Sequence, residues 1–170
     1  MDYQEIYEKE HWYGDAHQGR CPGNRLFPIY KNWLSNPVLD IGCGRGHTVE
    51  LLRKEGYDCD GIDQIKINPD MLVGDVTKPL GLEKKYNTCL CIDVIEHITD
   101  DILEGLFENF KLFNTQIFSI HNGPSIYKGE DLHVNRKSFD EWELIVKKHF
   151  NLVDKKIIHE QQILFYTTVN

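Results

Sequence analysis

The sequence predicts a three-layer α/β fold, a doubly wound and mostly parallel sheet between two helical layers, with a C-terminal antiparallel hairpin at one edge. Three observations carry this expectation. Short apolar runs alternate with amphipathic runs from Val38 to Phe150. The stretch VLDIGCGRGHTVELL, residues 38–52, passes from a strand into a helix through glycines at alternate positions. The final runs LVDKKIIH and ILFYTTV are separated by only a few residues, a spacing that fits a hairpin and not a crossover. Alternating strands and helices imply a parallel sheet covered on both faces, and the hairpin adds antiparallel strands to it.

Each element has its own local reason. Residues 2–10 read as a short polar helix. The next segment, HWYGDAHQGRCPGNRL, is a loop by its Gly and Pro content, yet it holds two His, a Trp, a Tyr and two Arg. Aromatic and basic residues on a loop suggest a lid that includes Trp12, Tyr13 and His17; the alternative is a disordered leader with a few packed aromatics. Residues 1–22 are therefore set apart as leader and possible lid, and 23–170 as the folded domain. A helix over 23–34 stops near Asn36-Pro37. VLDI (38–41) is the first strand. His47 to Glu55 is a helix with Gly56 at its C′ position. Cys59 to Asp63 is the second strand, and MLVGD (71–75) the third; QIKINPD between them is too short for a full crossover helix. TCLCID (88–93) is nearly all apolar, as a strand covered on both faces should be. Asp100-Asp101 can cap a helix with Ile102, Leu103, Leu106, Phe107 and Phe110 inward. TQIFSI (115–120) is the fifth strand, and Ser138-x-x-Glu141 is a capping box opening a helix with Trp142, Ile145, Val146 and Phe150.

Composition narrows the class. A chain of 170 residues with 41% hydrophobic content suits one domain with a core of its own. The net charge of −8 argues against tight, non-specific association with nucleic-acid backbones. Cys21, Cys43, Cys59, Cys89 and Cys91 form no CxxC pair and read as reduced thiols in a cytoplasmic protein. The polar, acidic start has no signal-peptide character, and no apolar run reaches membrane-spanning length.

The glycine loop carries the chemistry. It follows a strand and opens a helix, where bare backbone lets a ligand approach and the helix N-terminus favours electronegative groups. The spacing is Gly42-x-Gly44-x-Gly46, with Asp40 just before it. A dinucleotide fingerprint requires a glycine where His47 stands, and the Gly-Lys-Ser/Thr of a phosphate loop is absent. The second strand ends in Asp63, roughly 20 residues past the first glycine, where a carboxylate accepts ribose hydroxyls. The third ends in Gly74-Asp75, a carboxylate placed for an adenine amino group, and the fourth in Asp93. Acidic residues at the C-terminal ends of four consecutive strands surround the crevice in which open α/β sheets bind ligands. The pattern points to adenosyl-group binding.

With these residues in view, VLDIGCGRG, GID, GD and CLCIDVIEHI resemble the class I S-adenosylmethionine-dependent methyltransferases over residues 36–120. The resemblance implies the sheet order 3-2-1-4-5-7-6 with strand 7 antiparallel, S-adenosyl-L-methionine as cofactor and S-adenosyl-L-homocysteine as product. By position, Asp40, Gly42, Gly44 and Gly46 would line the methionine side, Asp63 would hold the ribose, and Asp75 and Val76 would lie by the adenine. Asp93 would face the sulfonium and the acceptor. Departures are the missing helix after Asp63 and the short link from the third to the fourth strand, which make this a trimmed version of the fold.

DVIEHI is similar to the segment found in enzymes acting on small molecules, lipids and quinones. The signature of DNA-base methyltransferases, an Asp, Asn or Ser followed by two prolines and an aromatic, is absent, as is a Pro-Cys nucleophile pair, and the Lys-Asp-Lys-Glu set of ribose methyltransferases cannot be assembled. For a base, His121 after the fifth strand and His133 in EDLHVNRKSF stand with Asp93 as catalytic candidates; the alternative for each histidine is a structural hydrogen bond. His97, His121 and His133 with Asp93 could supply a nitrogen and oxygen set for a metal, but no short-spaced pair supports it, and no metal is expected. The expected partner is a small-molecule acceptor. Non-methyl chemistry on the same cofactor, a cofactor-binding scaffold or regulatory protein without turnover, and, last, nucleic-acid methylation remain open. The oligomeric state is not legible.

Overall fold

The structure is a computed structural model that describes residues 5, 6 and 21–170. Most of the expected leader, including Trp12, Tyr13 and His17, lies outside the described residues. Helix α1 (Pro22–Tyr30) begins one residue before the expected domain boundary, with proline in its first turn, and tightens into a 3-10 turn, Lys31–Trp33, rather than continuing as a regular helix. Then follow β1 (Val38–Ile41), α2 (His47–Lys54), β2 (Cys59–Asp63), β3 (Leu72–Val73), β4 (Thr88–Ile92), a 3-10 turn at Ile95–His97, α3 (Asp100–Phe110) and β5 (Thr115–His121). A small hairpin, β6 (Ile126–Tyr127) and β7 (Glu130–Asp131), precedes α4 (Phe139–His149), β8 (Asn151–His159) and β9 (Gln162–Thr168).

The main sheet has seven strands in the order β3-β2-β1-β4-β5-β9-β8. Leaving out the small hairpin, this is 3-2-1-4-5-7-6. β9 runs antiparallel beside β5, from Thr115↔Thr168 to His121↔Gln162, and β8 forms the outer edge.

Strand alternation explains the layers. Leu39, Ile41, Cys89, Cys91, Phe118, Ile120, Ile163 and Phe165 point to one face, where they meet Leu106, Phe107 and Phe110 of α3 and Trp142 and Val146 of α4. Val38, Leu90, Ile117 and Leu164 point to the other, against Leu26 and Tyr30 of α1 and Val49 and Leu52 of α2. Full burial of each such side chain contributes about 1.5–3 kcal/mol. The capping box at Ser138 and Glu141 is formed in both directions, and Gly56, at φ 89°, ends α2 as expected.

Several elements differ from the sequence reading. β3 is two residues, both exposed, because it pairs only with β2 through Ile62↔Leu72 and Asp63↔Val73. Asp100 and Asp101 lie in the first turn of α3, and Thr99 is the N-cap residue. Ile102 is 44% exposed rather than packed inward. No helix occurs between β2 and β4. The stretch from Val76 to Leu80 is held instead by Asn109 of α3, whose amide nitrogen donates to the carbonyls of Val76 and Lys78 at 2.8 and 2.7 Å while its oxygen accepts from the Leu80 N–H. Close approach requires Gly105 there: a Cβ on it would fall 2.0 Å from the Thr77 carbonyl oxygen.

Candidate functional site

Parallel strands end on one edge of the sheet, so the loops after β1 to β5 converge. Between them lies a cavity of about 580 Å³, within the roughly 300–1,000 Å³ of small-molecule sites. The sheet order sets what lines it. Asp75, Val76 and Asp63 stand toward the β3 side, Gly42 in the middle, and Asp93, Glu96, His97, His121 and His133 toward β5.

The glycine loop is built by backbone geometry. Gly42, at φ 73°, turns its N–H to the Ile62 carbonyl at 2.8 Å. A Cβ there would lie 2.5 Å from Val94 Cγ2, and the left-handed backbone itself favours glycine. Gly46, at φ 84°, is the N-cap residue of α2. The Gly44 N–H donates to Asp63 Oδ2 at 2.9 Å, and the Ile65 N–H donates to Oδ1 at 3.0 Å. Asp63 therefore lines the cavity while tying the loop to β2. Burial raises its carboxyl pKa against these N–H bonds, which lower it.

Of the expected cofactor residues, Gly42, Asp63, Asp75, Val76 and Asp93 line the cavity, and Asp40, Gly44 and Gly46 do not. Asp40 shares its strand face with Val38 and so points toward the α1 and α2 layer. It is 4% exposed, and burial, reinforced by the charge of Asp63, pushes its carboxyl up to about 8. Asp75 accepts from the Thr77 hydroxyl at 2.6 Å and pairs with Lys78 at 2.9 Å. The Thr77 hydroxyl, then Lys78, hold its carboxyl below the usual range.

Asp93 follows β4 at φ 54°, a left-handed backbone that costs a non-glycine residue about 1–3 kcal/mol. Its surroundings hold it there. Gln162 Nε2 donates to both carboxylate oxygens at 2.8 and 2.9 Å, the Ser119 hydroxyl donates to Oδ1, and the Asp93 N–H donates to Ser119 Oγ at 3.1 Å. Sequence reasoning missed Gln162 and Ser119. The register places Ser119 beside Ile92 on β5 and Gln162 beside His121 on β9, and neither relation is visible along the chain.

Beyond Asp93, the 3-10 turn and the loop after β5 bring three side chains together. Glu96, His97 and His133 each offer a ligand atom, and these atoms lie within 4.8 Å of one another. Glu96 is fully buried; one carboxylate oxygen accepts the His121 N–H at 3.1 Å, and the other has no hydrogen-bond partner among the described residues. Burial, then the charge of Asp93, raises its carboxyl well above the ordinary range. His97 Nδ1 lies 3.0 Å from the Leu132 carbonyl, and His133 Nδ1 bonds the Gly123 carbonyl. Burial pulls His97 down to about 4 and also lowers His133. The His121 ring stands 5.5 Å from that of His133 and is half-buried. The set weighed from sequence was Asp93, His97, His121 and His133; the set that meets replaces Asp93 and His121 with Glu96.

A family model described as a methyltransferase domain matches residues 18–161. A ubiquinone biosynthesis O-methyltransferase from Acinetobacter baylyi (strain ATCC 33305 / BD413 / ADP1) is 26% identical over 128 residues, covering 59% of this chain and 53% of that protein. Its counterpart from Pseudomonas entomophila (strain L48) is 23% identical over 155 residues, covering 75% and 67%. By the first of these alignments the chain spans about half the length of the curated relative it matches. Among solved structures, the PH0226 protein from Pyrococcus horikoshii OT3 superposes with a TM-score of 0.80 at 18% identity, covering 98% of this chain and 99% of that one. The 1,6-didemethyltoxoflavin-N1-methyltransferase of Burkholderia thailandensis, with bound 1,6-didemethyltoxoflavin and S-adenosylhomocysteine, gives 0.72 at 16% identity, covering 98% and 86%.

Proposed function

This chain belongs to the methyltransferase-domain family, and from that premise we propose that it transfers a methyl group from S-adenosyl-L-methionine to a small-molecule acceptor. The observation that carries the reading is the division of one cavity by the sheet order, with the glycine loop and two strand-end carboxylates on one side and Asp93, Glu96 and three imidazoles on the other.

The residues present fit the cofactor. At Gly42 the backbone stands bare where a side chain would collide with Val94, and Asp63, Asp75, Asp93 and Glu96 face a space suited to a ligand with sulfonium and ammonium charges. The cofactor supplies an activated methyl on sulfur. Asp63 has remaining lone pairs for the ribose hydroxyls, and Val76 offers an apolar wall to the adenine. Asp93, immobilised by Gln162 and Ser119, orients groups at the transfer point, because in-line displacement depends mostly on alignment and exclusion of water. A proton leaving a hydroxyl or ammonium acceptor goes to His121 or His133; burial keeps His133 neutral near pH 7 and so able to accept one. Among the described residues all five cysteines are free and no helix is long and apolar enough to cross a membrane; the free thiols support a reducing, cytoplasmic setting.

Calorimetry with S-adenosylhomocysteine and with NADH, followed by a screen for S-adenosylhomocysteine release across metabolites, nucleic acids and peptides, tests the proposal. Binding of the homocysteine product and turnover with a metabolite are expected. Binding without turnover on any class would favour the scaffold reading, and affinity for NADH alone would overturn the cofactor assignment.

A further inference from the structure

We propose that Glu96, His97 and His133 form a binding site for a divalent transition-metal cation of the zinc or manganese type, beside the methyl-transfer point. Three observations converge on it. The donor atoms already lie within 4.8 Å of one another. A tetrahedral site with bonds of about 2.1 Å has donors about 3.4 Å apart, so the side chains need to draw in by about 1 Å.

The second observation is the orientation of the imidazoles. A backbone carbonyl only accepts, so the Leu132 and Gly123 carbonyls fix a proton on Nδ1 of His97 and His133 respectively. Each Nε2 then carries the lone pair, and that of His133 lies 4.0 Å from Glu96 Oε1. For His133, an Nδ1–H fixed on a carbonyl with Nε2 turned toward the Glu96 carboxylate is the arrangement that prepares histidine for a metal.

The third observation is Glu96 itself. It is 0% exposed, lines the cavity, and has an oxygen with no hydrogen-bond partner among the described residues. An unsatisfied buried carboxyl oxygen costs about 1–3 kcal/mol unless something occupies it. A cation answers that deficit, and two imidazoles with one carboxylate favour transition metals over magnesium or calcium.

The site deepens the proposed function, and its chemical consequence rests on that reading. Three protein ligands leave coordination positions open to the cavity. A hydroxyl of the acceptor placed there ionises nearer neutral pH. Its proton passes to His121 or solvent, its oxygen forms the bond to the methyl carbon, the carbon–sulfur bond breaks, and the electron pair stays on sulfur as the neutral thioether. The acceptor atom is then oxygen. The two candidate histidines also divide: His133 holds the cation, and His121 remains for the proton.

The test measures metal binding directly and apart from catalysis. Chelator-stripped protein is titrated with zinc chloride and with manganese chloride by calorimetry, and bound metal is counted by elemental analysis after desalting. One cation per chain is expected. Glu96→Gln and His133→Asn should each weaken binding at least ~10-fold, while His121→Ala should not. Circular dichroism checks that each variant folds; should His133→Asn fail to fold, the isosteric Glu96→Gln decides. Absence of binding to the wild-type chain, or equal binding by Glu96→Gln, overturns the site. Product affinity is measured on the same samples: metal binding without S-adenosylhomocysteine binding would overturn the cofactor reading and leave the site standing. Unchanged turnover of a hydroxyl acceptor by stripped enzyme would overturn the role given to the cation.

Discussion

Asp40 should make the ligand-free protein lose stability as pH rises, and Asp40→Asn should remove that loss. The carboxyl is 4% exposed and titrates at about 8 instead of 3.8, chiefly through burial and secondarily through Asp63. The folded chain therefore keeps a proton that the unfolded chain has released. The unfolded state binds fewer protons across this range, so unfolding becomes easier as pH rises from about 4 to about 8 and the effect then levels off. At ~1.4 kcal/mol per pH unit the whole range corresponds to about 6 kcal/mol. Asp63 and Glu96, also raised, act in the same direction. His97 and His133, both lowered, act in the opposite direction, reducing stability as pH falls below their unfolded value of 6.5. Between about pH 6.5 and 8 the histidines are silent, and Asp40 contributes about 2 kcal/mol of loss. Urea denaturation of wild type and Asp40→Asn at both ends of that window measures it. Wild type should lose about 2 kcal/mol more than the variant across the window. Parallel losses would show that Asp40 is ionised in the folded protein and that the burial argument is wrong.

Three further outcomes are expected. Asp63→Ala should weaken S-adenosylhomocysteine binding by about 2–3 kcal/mol, since a charged acceptor for buried hydroxyls is lost; calorimetry showing equal affinity in a folded variant would end the ribose assignment. Gly105→Ala should lower stability by at least ~2 kcal/mol in denaturant titrations, because its Cβ would meet the Thr77 carbonyl at 2.0 Å; an unshifted midpoint would show that the stretch from Val76 to Leu80 yields freely. Gln162→Leu removes both of its bonds to Asp93 and should cut kcat ~10-fold or more with cofactor affinity nearly unchanged; steady-state kinetics showing only a weaker cofactor would place Asp93 in cofactor binding instead.

The strands of the sheet were legible because burial on both faces writes nearly continuous apolar runs, as in Cys89, Leu90 and Cys91. The strand-to-helix turn was legible because only glycine fits the backbone at Gly42 and Gly46. Ile102 was misread because an apolar side chain beside a ligand cavity has the same periodicity as one in the core: it lines the cavity at 44% exposure. β3 was overread because MLVGD has strand composition, whereas an edge strand stops where its one neighbour ends. Glu96 escaped notice for a different reason. In sequence it is an acid beside a histidine in a turn; its burial comes from the returning chain, where the Asn135 N–H bonds its carbonyl and the His121 N–H bonds its carboxylate. Such relations belong to tertiary closure and leave no local pattern.

Asn109 carries a consequence for motion. In place of a crossover helix, one amide side chain, 3% exposed, fastens the stretch from Val76 to Leu80 onto α3 with three hydrogen bonds. That stretch has no regular structure, yet it is not an independent flap. It can swing outward only by breaking all three bonds together or by taking part of α3 with it. Amide protons there should therefore exchange with deuterium in step with those of α3, as one cooperative opening unit, and more slowly than its irregular backbone suggests.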